Sequence, residues 1–210
     1  MVEQKIFKNK IIHRVFVDLD NTLLPYDTLW PVWKAILGAG LRPKLSKMAL
    51  NFGLQSIPKS LMISCFAGMP FQDYKLFFSD QARRFVNDID PSVKFWSEGL
   101  VSDKSKIHIM TGSFDLLAKG ISSYLGWGQS IGTDVEVRCG RLTGKLSTPA
   151  IKGEQKVKTI KQTFKLSDHH FRFLAAAGDS YDDRWLLERC SLQYFPKNAS
   201  KRLIRYFGSN

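Results

Sequence analysis

The chain has 210 residues, of which 44% are hydrophobic and 24% are charged. This length and composition predict one folded domain, or a core with a modest insertion, and exclude both intrinsic disorder and a long multidomain chain. The formal net charge of +12 predicts attraction to something anionic, such as a phosphorylated metabolite, an acidic lipid surface or nucleic acid. The longest stretch without a charged residue, 120–133, is too short and too polar to cross a bilayer.

Strand-like and helix-like segments alternate along most of the chain. Apolar and β-branched runs predict strands at residues 15–18, 107–110, 171–177 and 192–195. Apolar residues at helical spacing predict helices at residues 115–125, 154–164, 182–190 and 199–207. Residues 131–144 predict a hairpin at the edge of a sheet. This alternation is typical of the α/β class, with a Rossmann-like parallel sheet and helices on both of its faces.

The segment 27–99 departs from this alternation, because its aromatic and aliphatic residues recur at helical spacing throughout. We therefore expect an α/β core made of residues 1–26 and 100–210. A small all-helical cap of residues 27–99 would be inserted after the first strand, as a lid over a binding site.

Three of the predicted strands end in small polar or acidic residues. Asp18 and Asp20 end the first strand, Thr111-Gly112-Ser113 ends the second, and Asp179 and Asp183 follow the third. Ligands of such sheets bind beyond the carboxyl ends of the strands, where these side chains would converge. Neighbouring carboxylates repel each other unless a cation lies between them, and loops rich in carboxylates suit Mg²⁺ with a substrate phosphate.

These motifs, taken together and in order, resemble those of the haloacid dehalogenase-like hydrolase superfamily over almost the full length of the chain. The matching segments are 18–23, 110–113, a lysine within 152–157, and 178–183. The helical insertion between the first two motifs is similar to the phosphoserine-phosphatase-like branch. Within that branch, the segment 153–157 and the basic insertion are most similar to the group that contains phosphatidylglycerophosphatase C.

The resemblance implies a Mg²⁺-dependent phosphatase that hydrolyses a phosphate monoester through an aspartyl-phosphate intermediate. Asp18 would attack phosphorus, and Asp20 would protonate the leaving oxygen and then activate water. Asp18, the backbone carbonyl of Asp20, and Asp179 would hold the metal ion, while Asp183 would hold its waters or orient the lysine.

Further residues would bind the phosphate and the rest of the substrate. The Thr111 hydroxyl and nearby backbone N–H groups, in Thr111-Gly112-Ser113, would neutralise the phosphate together with a lysine. That lysine is Lys156 or Lys152: the Gly-x-x-Lys-Val pattern favours Lys156, and the spacing before the last motif fits either. Asp27 lies where phosphoserine enzymes have an acidic substrate contact, whereas Phe78 stands where their arginine is expected, which argues against phosphoserine.

The substrate class and the acceptor of the phosphoryl group stay open at this stage. A lipid head-group phosphate, such as phosphatidylglycerophosphate, and a small soluble phosphate ester are both compatible with the motifs. A phosphotransferase and a non-catalytic protein that binds a phosphorylated ligand are the remaining alternatives. No nucleic-acid-binding signature is present, so we expect no nucleic acid partner. The oligomeric state is not predicted.

A stripe in the cap bears on the choice of substrate. Apolar residues at helical spacing alternate there with basic ones and form either the cap core or a peripheral contact with anionic membrane. The stripe consists of Trp30, Trp33, Leu37, Leu41, Leu45, Met48 and Phe52, with Lys34, Arg42, Lys44 and Lys47 between them. No secretory signal is evident, so we expect the protein in the cytoplasm, with the inner face of the membrane as its place of contact if the stripe binds lipid.

Overall fold

The computed structural model describes residues 11–41, 58–147 and 151–209. These residues contain seven strands: β1 (Arg14–Val17), β2 (Ile107–Phe114), β3 (Ile131–Thr133), β4 (Val135–Arg138), β5 (Arg141–Leu146), β6 (Leu174–Ala177) and β7 (Leu192–Tyr194). Five of them form a parallel sheet in the order β3-β2-β1-β6-β7, and β4 and β5 form a separate antiparallel hairpin. The predicted α/β class with a parallel sheet is confirmed.

Eight α-helices surround this sheet within the described residues: α1 (Leu29–Gly38), α2 (Lys59–Ser64), α3 (Phe71–Phe85), α4 (Pro91–Gly99), α5 (Asp115–Leu125), α6 (Glu154–Phe164), α7 (Arg184–Leu187) and α8 (Lys201–Gly208). Short 3₁₀ turns lie at Val86–Asp88, Lys104–Lys106, Asp168–Phe173 and Tyr181–Asp183. None of the helices in the described ranges is both long enough and apolar enough to span a membrane.

Alternation along the central strand divides the core into two layers. Val15 and Val17 of β1 point to one face, where they join the apolar side chains of α5 and of helices α1 to α3. Phe16 points to the other face and joins those of α6, α7 and α8. Since successive side chains of a strand point to opposite faces, a strand buried on both faces must be apolar at every position, as β1 is after Arg14.

The insertion packs directly on the core. Helix α3 lies along α5, and the crossing is so close that a Cβ atom on Gly120 would lie 2.5 Å from the Cβ atom of Ala82. Phe78 of α3 is fully buried, with its ring 5.1 Å from that of Phe114 at the end of β2. The residue boundaries that we expect between core and cap, 1–26, 27–99 and 100–210, stay a prediction.

Two predicted helices, 115–125 and 154–164, are confirmed as α5 and α6, but several other boundaries were wrong. Residues 171–173 belong to a 3₁₀ helix instead of a strand, because Ser167 and His170 cap that turn through reciprocal hydrogen bonds. Of 182–190, only Arg184–Leu187 is α-helical.

The second strand and the predicted hairpin also differ from expectation. Strand β2 continues to Phe114, so Thr111-Gly112-Ser113 lies within the strand and not in a loop after it. Residues 131–133 are not part of the hairpin but pair in parallel with β2 as a strand of the main sheet. Gly132 permits this pairing, since a Cβ atom there would lie 2.6 Å from the Cα atom of Asp115.

Candidate active site

A cleft of about 200 Å³ opens at the carboxyl ends of β1, β2 and β6, where the sequence motifs were expected to meet. The cleft contains carboxylates from residues 18–27 and 179–183, one lysine from the insertion, two lysines from the segment 152–156, and a few small or polar residues. Its lining consists of Asp18, Asp20, Asn21, Asp27, Leu29, Lys59, Gly112, Ile151, Lys152, Lys156, Asp179, Ser180, Asp182 and Asp183.

Asp18 is presented at the end of β1 by a turn of unusual shape. Its backbone N–H donates to the Ala177 carbonyl at 3.0 Å, which continues the pairing of β1 with β6 past the last strand residue. The chain then makes a wide turn, Leu19–Leu23, in which Asn21 adopts a left-handed φ of +56°. Asparagine tolerates this conformation better than most residues, because its short side chain hydrogen-bonds locally. The turn directs Asp18 and Asp20 into the cleft.

A buried lysine joins Asp18 to the last motif. The Lys156 ammonium donates to Oδ1 of Asp18 at 2.5 Å and to Oδ1 of Asp183 at 2.6 Å, and all three side chains are buried. Burial alone would lower the pKa of Lys156, but the charges of the two aspartates raise it above its ordinary value. The lysine is therefore cationic, and it partly offsets two carboxylates that could not both remain charged without it.

Asp18 and Asp183 respond differently to this arrangement. Burial raises the pKa of Asp18 well above its ordinary value, and the attraction of Lys156 opposes this rise without cancelling it. Burial acts in the same direction on Asp183, but the charge of Lys156 and the hydrogen bonds from Ser180 hold its pKa below the ordinary value. Burial thus disfavours the ionised form of Asp18, which a further cation in the cleft would favour.

The loop after β6 fixes the third acid. Asp179 accepts a hydrogen bond from the Thr22 hydroxyl at 3.2 Å, and burial together with the charge of Asp183 raises its pKa to about 6. Gly178 precedes it, where a Cβ atom would lie 2.6 Å from the Cβ atom of Asp183, so only glycine allows the loop to fold this tightly.

One carboxylate oxygen from each of Asp18, Asp179 and Asp183 lies within 4.8 Å of the other two. Carboxylate oxygens are the ligands that Mg²⁺ prefers. Burial raises the pKa values of Asp18 and Asp179, and the charge of Asp183 adds to the rise, so a bound cation would favour their ionised forms. The residues therefore fit the predicted ion. The Asp20 side chain is outside this cluster, so its backbone carbonyl is the group expected to take part.

The Asp20 carboxylate is held on another side of the cleft by the insertion. Its Oδ1 accepts hydrogen bonds from the Thr28 backbone N–H at 2.8 Å and from the Thr28 hydroxyl at 2.6 Å. The Thr28 hydroxyl also lies 2.8 Å from the hydroxyl of Ser113. The backbone N–H of Ser113 in turn donates to Oγ1 of Thr111 at 2.9 Å. Burial raises the pKa of Asp20 although the Thr28 hydrogen bonds lower it.

The structure separates the residues of the second motif. Gly112 lines the cleft, whereas Thr111 and Ser113 are buried and neither is among the cleft-lining residues. Thr111 uses its oxygen as an acceptor within the strand, which leaves its hydroxyl hydrogen to donate. Ser113 serves to connect β2 with Thr28 and, through it, with Asp20.

The two candidate lysines and Asp27 also have distinct places. Lys156 is buried between two aspartates, whereas Lys152 lines the wall of the cleft beside Gly112. Asp27 lies at the mouth, and its carboxylate accepts from the backbone N–H of Leu29 at 2.8 Å.

Sequence reasoning missed two residues of the site. Thr28 and Lys59 belong to the insertion and carry no motif of their own; only their approach in space brings them to Asp20 and Gly112. Phe78, which stands where phosphoserine enzymes are expected to have an arginine, lies in the core against Phe114 and does not line the cleft.

The fold and the cleft together define an α/β protein with a cluster of carboxylates at the carboxyl end of its sheet. A family model described as haloacid dehalogenase-like hydrolase matches residues 15–188, and the chain belongs to this family. The predicted superfamily is thus confirmed.

Individual relatives are distant. A phosphoserine phosphatase of Archaeoglobus fulgidus is 25% identical over 87 residues, which is 41% of this chain and 25% of that protein. A protein of unknown function from Bordetella pertussis Tohama I has a similar structure, with a TM-score of 0.74, 22% identity, and coverage of 95% of this chain and 96% of that one. A phosphoserine phosphohydrolase-like protein from Francisella tularensis has a TM-score of 0.61 at 16% identity, with 93% of each chain covered. These structural similarities support the fold.

Proposed function

We propose that this protein is a Mg²⁺-dependent phosphatase that hydrolyses a phosphate monoester through an aspartyl-phosphate on Asp18. The observation that carries the proposal is the pairing of Asp18 with buried Lys156, beside an acidic cluster that suits Mg²⁺. An aspartate carboxylate is a weak nucleophile, and a covalent step replaces one difficult displacement with two easier ones.

In this mechanism an Asp18 oxygen forms a bond to phosphorus while the bond from phosphorus to the ester oxygen breaks. Asp20 donates its proton to the leaving alcohol and then, as a carboxylate, removes a proton from the water that attacks the aspartyl-phosphate. Its raised pKa suits this exchange, since it must hold a proton in the first step and release it afterwards.

The charges around phosphorus are neutralised from several directions. Mg²⁺ would be held by Asp18, Asp179 and the backbone carbonyl of Asp20. Asp183 would accept hydrogen bonds from the water molecules of the ion, which would supply positive charge near the phosphoryl oxygens. The buried Lys156 ammonium supplies a second positive charge beside Asp18 and the phosphoryl group. We therefore assign Lys156, and not Lys152, as the catalytic lysine. The backbone N–H of Gly112, which lines the cleft, is the remaining phosphate donor, and the Thr111 hydroxyl, which is buried beside it, would join it only if the end of β2 shifts toward the cleft.

A lipid phosphate is one candidate substrate, and a specific feature of α1 favours it. Trp30 and Leu37, seven residues apart on one side of this helix, are 38% and 47% exposed, and the Lys34 ammonium lies 5.1 Å from the centre of the Trp30 ring. An exposed aromatic and aliphatic surface with cations suits the interface of an anionic membrane. Trp33 of the same stripe is buried, and residues 42–52 lie outside the described part of the chain.

The first experiment measures phosphate release by the wild type and by Asp18→Asn, with and without Mg²⁺. The panel contains phosphatidylglycerophosphate in mixed micelles, phosphoserine, sugar phosphates and nucleotides. We expect release that needs Mg²⁺ and that falls at least about 1,000-fold in Asp18→Asn, because the amide cannot form the intermediate. Asp168→Asn, at an exposed position that pairs with Lys161, is the matched control and should behave as the wild type.

A fully active Asp18→Asn protein would refute the mechanism. Transfer of phosphate to an added alcohol in preference to water would identify a phosphotransferase. Silence of the wild type across the panel, together with Mg²⁺-independent binding of phosphate esters, would favour the non-catalytic alternative. Turnover of phosphatidylglycerophosphate alone would support a role for the exposed face of α1 in membrane contact. Preference for a soluble ester would argue against that role.

A further inference from the structure

Two lysines approach Gly112 from different parts of the chain. Lys59, in the first turn of α2, donates from its ammonium to the Gly112 carbonyl oxygen, which ties the insertion to the end of β2. Lys152 lies against the Cα atom of the same glycine: a Cβ atom on Gly112 would lie 3.6 Å from both Cγ and Cε of Lys152. Both lysines line the cleft.

Neither lysine has a carboxylate partner of its own. The described residues contain no ion pair that joins Lys59 or Lys152 to an acid, whereas Lys156 has two such partners. An ammonium has three N–H donors, and the hydrogen bond to Gly112 uses one of those on Lys59. Lys59 is also partly buried, and burial lowers its pKa, with the charge of Lys152 acting in the same direction. A cation in this situation is stabilised when an anion enters the cleft.

The position of Lys59 indicates which part of a substrate it would meet. Lys59 reaches the cleft from the insertion, and the insertion also holds the Asp20 carboxylate through Thr28. In the proposed mechanism Asp18 attacks phosphorus and Asp20 protonates the leaving oxygen. The insertion side of the cleft, where Lys59 lies, is therefore the side of the leaving alcohol.

From this geometry we propose that Lys59, with Lys152 beside it, binds a second anionic group on the alcohol part of the substrate. The inference rests on the proposed function and narrows its substrate class to phosphate monoesters whose alcohol carries another negative charge. A carboxylate and a phosphodiester both meet this description, the first in small metabolites and the second in lipid head groups such as that of phosphatidylglycerophosphate.

The test uses ligands that differ only in the second charge. 3-Phosphoglycerate has a carboxylate where glycerol 3-phosphate has a hydroxymethyl group, and glycerophosphoglycerol phosphate adds a phosphodiester to the same glycerol phosphate. Binding of each ligand with Mg²⁺ is measured by calorimetry in Asp18→Asn, which cannot turn over, and in Asp18→Asn with Lys59→Met. The values of kcat/KM are measured in the wild type and in Lys59→Met.

We expect at least one ligand with the second anionic group to bind more tightly than glycerol 3-phosphate. Lys59→Met should reduce the ratio of the two Kd values about tenfold or more. Binding of glycerol 3-phosphate itself should change little, and Lys59→Arg should retain the preference. Lys119→Met, at an exposed lysine of α5 away from the cleft, is the matched control. Whichever of the two anionic ligands is preferred identifies the soluble or the lipid-like source.

Equal weakening of all three ligands by Lys59→Met would overturn the inference, because the lysine would then serve the transferred phosphate or the fold. Absence of any preference for either doubly anionic ligand would also overturn it. A different outcome would refute the proposed function. A binding preference that depends on Lys59, without phosphate release by the wild type, would refute the phosphatase activity but support the anion site at Lys59. Phosphate release without the binding preference would support the phosphatase activity but refute the anion site.

Discussion

Thr28 is the residue through which the insertion holds Asp20, the acid and base of the proposed mechanism. It is fully buried, it donates twice to Asp20, and it contacts Ser113 on β2. A side chain that must give and take a proton has to be held within hydrogen-bonding distance of the reacting atoms. Thr28 does not touch phosphorus in the proposed mechanism, so its role is to position Asp20 and to tune its pKa.

Replacement of Thr28 by valine keeps the shape of the side chain and removes the hydroxyl donor. We expect kcat to fall about tenfold, which corresponds to the loss of one hydrogen bond to a charged group. Since this bond lowers the pKa of Asp20, its loss raises that pKa further, and the limb of the kcat profile that reports Asp20 should move to higher pH. This is the low-pH limb if the hydrolysis step, which needs the carboxylate, limits kcat, and the high-pH limb if the first step, which needs the acid, limits it. The pH dependence of kcat in Thr28→Val and in Thr28→Ser measures this. An unchanged limb in Thr28→Val would reduce Thr28 to a packing residue.

The acids of the site were predictable from sequence because they belong to recognisable motifs that follow apolar strands. Asp18, Asp179 and Asp183 were expected to meet, and they do. Thr28 and Lys59 were not predicted, since a threonine and a lysine in a helical segment carry no local signal. Their place depends on how the insertion folds back on the sheet, which periodicity does not describe.

At the scale of elements, the contact between α3 and α5 fixes the insertion to the core. Gly120 lies where these two helices cross, and no room exists there for a side chain beside Ala82. Glycine within a helix costs about 1 kcal/mol relative to alanine, so its presence here reflects the close approach of the helices.

Gly120→Ala should therefore destabilise the protein in spite of the better helix propensity of alanine. We expect a loss of about 1 to 3 kcal/mol in the free energy of unfolding, as overpacked cores show. Ala82→Gly, added to it, should restore most of the loss. Gly99→Ala, at the end of α4 with no atom within 4 Å of the added Cβ, is the control and should not destabilise. Denaturant unfolding of the wild type, the two single variants, the double variant and the control measures the coupling, and an additive double variant would contradict close packing at this site.

Helices were predicted more accurately than strand ends, and the reason is visible in particular elements. Helices α5 and α6 have long amphipathic patterns, so their residues 115–125 and 154–164 were placed correctly. The short strand β3 has three residues, and its pairing with β2 depends on Gly132 fitting against Asp115. A strand of that length has too few residues for alternation to assign it to a sheet rather than to a hairpin.

For the whole molecule, the net charge and the charge of the cleft have opposite signs. The chain carries +12, which attracts anionic substrates from a distance, yet the cleft holds more aspartates than lysines. An anionic phosphate therefore reaches a site that repels it locally until a cation is bound. Burial, with the charge of Asp183 in addition, raises the pKa values of Asp18 and Asp179, so their ionised forms are costly in the folded protein.

Mg²⁺ should accordingly stabilise the protein, and more so at high pH than at low pH. Because the pKa of Asp179 is raised in the folded state to about 6, its ionised form costs stability above that pH, and this cost disappears as the carboxyl is protonated. Mg²⁺ binds the ionised form. At about a hundredfold excess over its Kd, the ion adds about 2.7 kcal/mol, or roughly 5 to 10 °C in Tm.

As the pH falls through about 6, Mg²⁺ has to displace a proton from Asp179, so the gain should shrink by about 1.4 kcal/mol for each pH unit below that value. Thermal unfolding at about pH 7.5 and about pH 5, with NaCl of equal ionic strength as the reference, measures the difference. Asp179→Asn should lose most of the gain at both values. An equal Mg²⁺ effect at the two pH values, or one that persists in Asp179→Asn, would show that the ion acts elsewhere on the molecule.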